Sequence, residues 1–411
     1  MNGFATKAIH GRPLKPDPHG TLRPPVYDNV AFEFAGAQDL QLAFEGRKPA
    51  HSYSRISNPT VEEYEQRVRL LADAFGVIAV SSGMAAISNV LMALGQAGTN
   101  IVTTRWVFGN TYSLLEHTFK PWGLDVNYVD LADPRALAEA INEQTRAVFL
   151  EVITNPQLQV VDIPEIARIA HERGVPVVLD GTVTTPYLFR SKDFGVDVEV
   201  ISSTKYISGG ATSVGGLILD NGTFDWKQNP KLRPWAKKVG PGALLTALRR
   251  ELYRNLGACL SPHNAFLQTL GLETLSLRID KSCANTLTLA RWLKRQHPKV
   301  VAVNYPGLES SPCHCLATRL FPRGAGGILT FDLGSREQCF AFADALKVVR
   351  RATNINDNKT LILHPASTIF CEYTAEQKAA MGVSDSMLRL SVGIEDVEDI
   401  IEDLAGGLAA L

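Results

Sequence analysis

Seven short apolar runs, separated by segments with helical spacing, constrain this chain more than any other feature. The runs are Val77–Val80, Asn100–Thr103, Asp125–Val129, Ala147–Leu150, Val175–Leu179, Val198–Ile201 and Val214–Leu219. Strands joined through helices of this length pair in parallel by right-handed crossovers, and both faces of the resulting sheet are covered. The pattern therefore predicts an α/β chain on a mostly parallel seven-stranded sheet flanked by helices. Such a sheet presents its ligand at the carboxyl ends of its strands. Polar residues gather at those ends. Ser81-Ser82-Gly83-Met84 follows the first run, Asn155-Pro156 the fourth and Ser202-Ser203-Thr204-Lys205 the sixth, while Asp180 closes the fifth.

A chain of 411 residues exceeds one ordinary core, so two domains are expected. Residues 1–57 are rich in Pro, Gly and polar side chains and read as an extended arm. From Asn58 the pattern turns helical. Thr60-Val61-Glu62-Glu63 has the form of a capping box, and Tyr64, Val68, Leu71, Ala72 and Phe75 share one face. The large domain then covers residues 58–258, loosening into a connecting region from about residue 220. A smaller α+β domain, residues 259–411, opens with a long helical stretch, Ala265–Leu293, and closes with a strand, Met387–Val392, and a helix.

The balance of charge excludes some partners. A formal net charge of −1 gives no electrostatic footprint for nucleic acid or an anionic membrane. Met1–Gly11 has no apolar signal core, and no run of apolar residues is long enough to span a bilayer. The six cysteines are scattered, which fits a reducing cytoplasm, and Cys313-His314-Cys315 lacks the second ligand pair of a zinc site. No metal is expected.

The polar residues at the sheet edge have a chemistry in common. A lysine at the end of a buried strand loses hydration, so its amine becomes a nucleophile toward an aldehyde. Hydroxyls at Ser202 and Thr204, and free backbone N–H groups where a helix opens at Gly83 and Met84, suit a phosphate. An aldehyde with a phosphate describes pyridoxal 5'-phosphate (PLP), attached through Lys205. Asp180 would pair with the ring nitrogen, Phe108 could stack on the ring, and Arg389 could take the α-carboxylate of an amino acid. Each residue has a plainer alternative: an exposed loop lysine, a capping aspartate, a core aromatic, an arginine in a structural ion pair.

Four motifs in order carry a resemblance over nearly the whole length. They are Tyr53-Ser54-Arg55-Ile56-Ser57-Asn58-Pro59-Thr60, Ser82-Gly83-Met84-Ala85, Ser203-Thr204-Lys205-Tyr206 and Arg389-Leu390-Ser391-Val392-Gly393-Ile394-Glu395. In them the chain resembles the Cys/Met-metabolism PLP enzymes, a fold-type I group of cystathionine γ-synthases, cystathionine and methionine γ-lyases, and homoserine-ester sulfhydrylases. The resemblance implies a PLP transferase with Lys205 and Tyr53 catalytic. It implies PLP contacts from Gly83, Met84, Phe108, Asn155, Asp180, Ser202 and Thr204, and substrate contacts from Arg389 and Asn354. It also implies that Tyr53 and Arg55 reach the PLP phosphate of a neighbouring subunit, in a homotetramer built of dimers that share active sites.

Within the family, Leu260–Leu267, Gly271–Arg278 and Val303–Leu308 are most similar to the sulfhydrylase branch. That branch implies replacement of the ester of O-acetyl-L-homoserine by sulfide or another sulfur donor, giving L-homocysteine for methionine biosynthesis. A cystathionine γ-synthase or γ-lyase on the same scaffold is the alternative, and a PLP-binding protein without catalysis a more distant one. The chain departs from the family pattern at Phe108, usually tyrosine, and at Gly181, usually asparagine. The stretch around residues 226–245 is also shorter, and Asn110 stands where methionine γ-lyases carry cysteine.

Overall fold

A computed structural model describes residues 3–11 and 19–411. The seven apolar runs are strands β1 (Gly76–Val80), β2 (Thr99–Thr103), β3 (Leu124–Tyr128), β4 (Thr145–Glu151), β5 (Val177–Asp180), β6 (Val198–Ile201) and β7 (Gly216–Asp220). They form one sheet in the order β1-β7-β6-β5-β4-β2-β3. Only β7 runs against its neighbours. The reason is local: no helix lies between Ile201 and Gly216, so the chain returns directly, without a crossover.

Alternation along each strand divides the core into two faces. Ile78, Phe149, Val178 and Val200 pack against the helix Gly83–Leu94 through Ile87, Val90 and Leu91. Val148, Leu150 and Leu179 face the opposite way, toward the helix Ile163–Glu172, and Val77, Ala79 and Leu219 toward the helix Pro59–Ala72. Burial on both sides is why these strands read as continuous apolar runs.

Some boundaries differ from the sequence reading. The cap of the helix Pro59–Ala72 is Asn58, whose side chain accepts from the Thr60 N–H at 2.9 Å. The Thr60 hydroxyl instead accepts from Tyr27 N and donates to Pro25 O, which ties the arm to the helix. Asp73 then adopts φ 54° and ends the helix, so Phe75 leaves the apolar stripe and is 44% exposed. The arm is not wholly extended: it contains helices Phe4–His10 and Ala37–Phe44, the first held by Arg67 through the carbonyls of Ala8 and Ile9. The connecting region is helical too, through Arg233–Val239 and Ala243–Ala247.

The second unit carries strands β8 (Ala302–Asn304), β9 (Ile328–Asp332), β10 (Arg350–Arg351), β11 (Leu361–Leu363) and β12 (Met387–Ser391), ordered β10-β11-β12-β9-β8. Its opening helical stretch is two helices, Pro262–Glu273 and Leu275–Lys294, divided at Thr274. The closing helix is Val397–Ala409.

Candidate active site

A continuous circuit of contacts joins the carboxyl ends of β4, β5 and β6 to the second unit. Lys205 lies in the turn after β6, where its N–H donates to Ser202 O at 3.2 Å. Its Nζ donates to Asn354 Oδ1 at 2.6 Å, and Asn354 Nδ2 donates to Asp357 Oδ2 at 3.1 Å. The Asn354 carbonyl accepts from Arg389 Nη2 at 3.2 Å, and Arg389 Nη1 donates to Asn155 Oδ1 at 3.0 Å. Burial lowers the Lys205 amine to a pKa of about 8, with the Arg389 charge adding to the effect and Asp357 opposing it. Arg389 is 2% exposed and its Nε has no partner among the described residues. It makes no structural ion pair there, so a buried guanidinium stands ready for an anion.

The carboxylates form the other half of the circuit. Asp180 accepts from Thr182 N at 2.9 Å, while Thr182 Oγ1 accepts from Ser202 N at 2.8 Å. Burial raises the Asp180 carboxyl, against the lowering effect of the Thr182 hydrogen bonds. Glu151, directly opposite Asp180 on β4, accepts from the N–H groups of Phe108 and Asn155. Burial and the neighbouring Asp180 push it well above the usual carboxylate range. Sequence reasoning missed Glu151. The signal was the one that found Asp180, a charged residue closing an apolar run.

An anion cradle opens beside them. The helix Gly83–Leu94 starts with Ser82 as its cap, the Ser82 hydroxyl accepting from Ala85 N at 3.1 Å. The N–H groups of Gly83 and Met84 are therefore in the free first turn. A Cβ at Gly83 would lie 2.6 Å from Ser202 Cβ, so only glycine lets the two loops meet. The Ser202 hydroxyl points to no protein partner among the described residues, whereas Thr204 is committed, its hydroxyl donating to Gly215 O and accepting from Gly215 N. The Thr204 hydroxyl, expected at a phosphate, lies at the same loop and bridges to Gly215. Phe108 is half-buried at the head of the short helix Gly109–Ser113. Tyr53 and Arg55 stand apart: both are exposed, the guanidinium lies 5.2 Å over the Tyr53 ring, and Arg55 donates to Arg254 O.

Known proteins of this construction share both the sequence and the shape. The description "Cys/Met metabolism PLP-dependent enzyme" matches residues 5–409. The chain belongs to this family. Homocysteine synthase of Schizosaccharomyces pombe is 37% identical over 98% of each chain. A solved O-acetylhomoserine sulfhydrylase from the methionine biosynthetic pathway of Wolinella succinogenes is 48% identical, covering 86% of this chain and 98% of its own, with a TM-score of 0.77. A provisional O-acetylhomoserine (thiol)-lyase of Campylobacter jejuni carries N'-pyridoxyl-lysine-5'-monophosphate at its position 205. It is 32% identical, covers 99% of this chain and 100% of its own, and superposes with a TM-score of 0.94.

The fold is thus fold-type I and the cofactor of this enzyme is PLP. The residues present fit it on their own terms. An amine with a depressed pKa, a half-buried carboxyl, a glycine-tight helix start and a Ser202 hydroxyl without a partner among the described residues match its aldehyde, ring nitrogen and phosphate. Gly181 is packed too tightly to carry a side chain. A Cβ there would lie 2.0 Å from Glu199 Oε1. Glu199 is 1% exposed, accepts from the Ser191 hydroxyl at 2.6 Å, and its Oε1 has no partner among the described residues. Burial, with Asp180 near, raises it to about 8, so a neutral carboxylic acid occupies the space a side chain at 181 would need.

Proposed function

We propose that this family member is an O-acetyl-L-homoserine sulfhydrylase, which replaces the acetyl ester by sulfide to give L-homocysteine and acetate. The observation that carries the reading is Arg389, buried beside Asn155 and Asn354, with its Nε unpartnered among the described residues and the Lys205 amine close by. That arrangement suits the α-carboxylate of an amino acid placed so that Lys205 reaches its Cα. Similarity to relatives named for this reaction supports the choice among family chemistries.

Bound PLP supplies an electron sink conjugated to the substrate amine. The protein supplies the rest. Lys205, with its pKa near 8, takes and returns protons at Cα and Cβ as the ester leaves and sulfur adds. Asp180 would hold the ring nitrogen, and Gly83, Met84, Ser202 and Thr204 would hold the phosphate. Phe108 stacks without offering a phenol, so acid–base work rests with Lys205 and with Tyr53. Tyr53 and Arg55, exposed in one chain, serve the site of a neighbouring subunit in a homotetramer of the cytoplasm. No helix among the described residues is long and apolar enough to cross a membrane.

Product analysis tests the reading. O-acetyl-L-homoserine is offered to the PLP-loaded protein alone, with sulfide, and with L-cysteine. Homocysteine from the sulfide reaction, with little product elsewhere, is the expected result. Cystathionine as the main product would make the protein a γ-synthase. Keto acid and ammonia without any sulfur donor would make it a lyase.

A further inference from the structure

The amide of Asn354 touches a cation on one side and an anion on the other. Its Oδ1 faces Lys205 Nζ at 2.6 Å and its Nδ2 faces Asp357 Oδ2 at 3.1 Å. An ammonium can only donate and a carboxylate can only accept, so one rotation of the amide satisfies both neighbours. The reverse rotation would set N–H against N–H and oxygen against oxygen. The backbone of Asn354 is pinned by Arg389 through its carbonyl, which leaves the side-chain rotation as its free variable. Asp357 is itself 8% exposed and fixed, its Oδ1 accepting from Lys359 N at 3.1 Å.

We propose that Asp357 is a positioning residue that locks the Asn354 amide, so that an oxygen always faces Lys205 and receives its amine whenever the amine is free. The inference rests on the role given to Lys205 above and extends it. A lysine that leaves the cofactor at one step and returns at a later one needs a fixed resting place within reach of the reacting carbon. Asn354 Oδ1 is that place, and Asp357 keeps it an acceptor. The charges that bear on the amine come from one strand and one loop: Arg389 on β12 disfavours the ammonium, and Asp357, between β10 and β11, favours it.

The test reads Lys205 without turnover. Apoprotein is mixed with PLP across a pH series, and the rate of forming a borohydride-reducible link at Lys205 is followed for wild type, Asp357→Asn, Asp357→Ser and Asp357→Glu. Thermal melts confirm that each is folded. Both uncharged variants should shift the midpoint of capture to lower pH, because the ammonium loses its anion. In steady state they should lose about tenfold in kcat with KM within about twofold, the signature of a group needed after binding. Asp357→Glu should restore the wild-type midpoint. Unchanged midpoints and kcat in folded Asp357→Asn or Asp357→Ser would overturn the proposal while leaving Lys205 in place. Failure of the wild type itself to form the link would remove the assigned role of Lys205, and this inference with it.

Discussion

At the scale of single residues, the site is a set of charges held away from water, and each makes a measurable demand. Arg389→Ala should raise KM for the amino-acid substrate about a hundredfold and change kcat less, because it removes a buried anion partner. Steady-state kinetics on the PLP-loaded variant decides it. Glu199 makes a demand on stability. Its carboxyl ionises near the ordinary 4.5 in the unfolded chain and near about 8 in the fold. Folding must then bind a proton between those values, so stability is full below the lower one and is lost as pH rises through the upper one. Glu199→Gln keeps the shape without the titration. Its melting temperature should match wild type near pH 4.5, where both side chains are neutral, and exceed it at pH 8. Equal pH dependence in the two proteins would show that Glu199 ionises normally.

Legibility at this scale followed from context. Lys205, Asp180 and Arg389 could be picked out because each is a charge set against an apolar strand, where an unpaired ion is costly. Glu151 obeys the same rule, one residue past its run as Asp180 is past its own, so it was equally legible. Asp357 could not be found that way. It lies between β10 and β11 in a loop without periodicity, three residues from Asn354, and only folding brings that pair to Lys205. Glu199 is hidden differently, as one polar residue inside Val198–Ile201 whose reason is a glycine on the adjacent strand's exit.

At the scale of elements, β5 and β6 are coupled through that missing side chain. Gly181→Ala should cost about 2 kcal/mol by overpacking against Glu199, and the cost should fall to a few tenths when Glu199 is also Ala. A double-mutant cycle by denaturant unfolding measures it, and additive effects would mean the two sites do not touch. Strands were legible nearly residue for residue because burial on both faces writes them as apolar runs. Caps were not. Asn58 and Thr60 are both competent capping residues, and the choice fell to Asn58 because the arm occupies the Thr60 hydroxyl. The single long helix expected over Ala265–Leu293 breaks at Thr274, three residues after Gly271 and with no proline to mark the place.

At the scale of the whole molecule, the arm matters most. Leu22, Val30, Phe44 and Tyr53 are exposed in one chain, at 103%, 60%, 69% and 40%. Apolar side chains left so open on one segment call for a covering surface, as a neighbouring subunit would provide. If Tyr53 and Arg55 complete the site next door, Lys205→Ala and Arg55→Ala should each be inactive alone. Refolded together, they should recover about a quarter of wild-type activity, since half the dimers are mixed and half their sites are intact. No recovery from mixed dimers, verified by mass, would place Arg55 in its own chain's site. Arg55→Ala alone should also bind PLP more weakly on equilibrium dialysis.

The place of β7 between β1 and β6 has a further consequence, for the order in which the chain can assemble. β1 pairs with β7 and with no other strand of its sheet, so Gly76–Val80 has no strand partner until Gly216–Asp220 has been made. A ribosome therefore releases a fully apolar strand long before its mate. During that interval the edge is open to other chains, the situation in which nascent proteins aggregate or engage chaperones. Yield on expression should respond to the rate of synthesis more than to the stability of the finished enzyme.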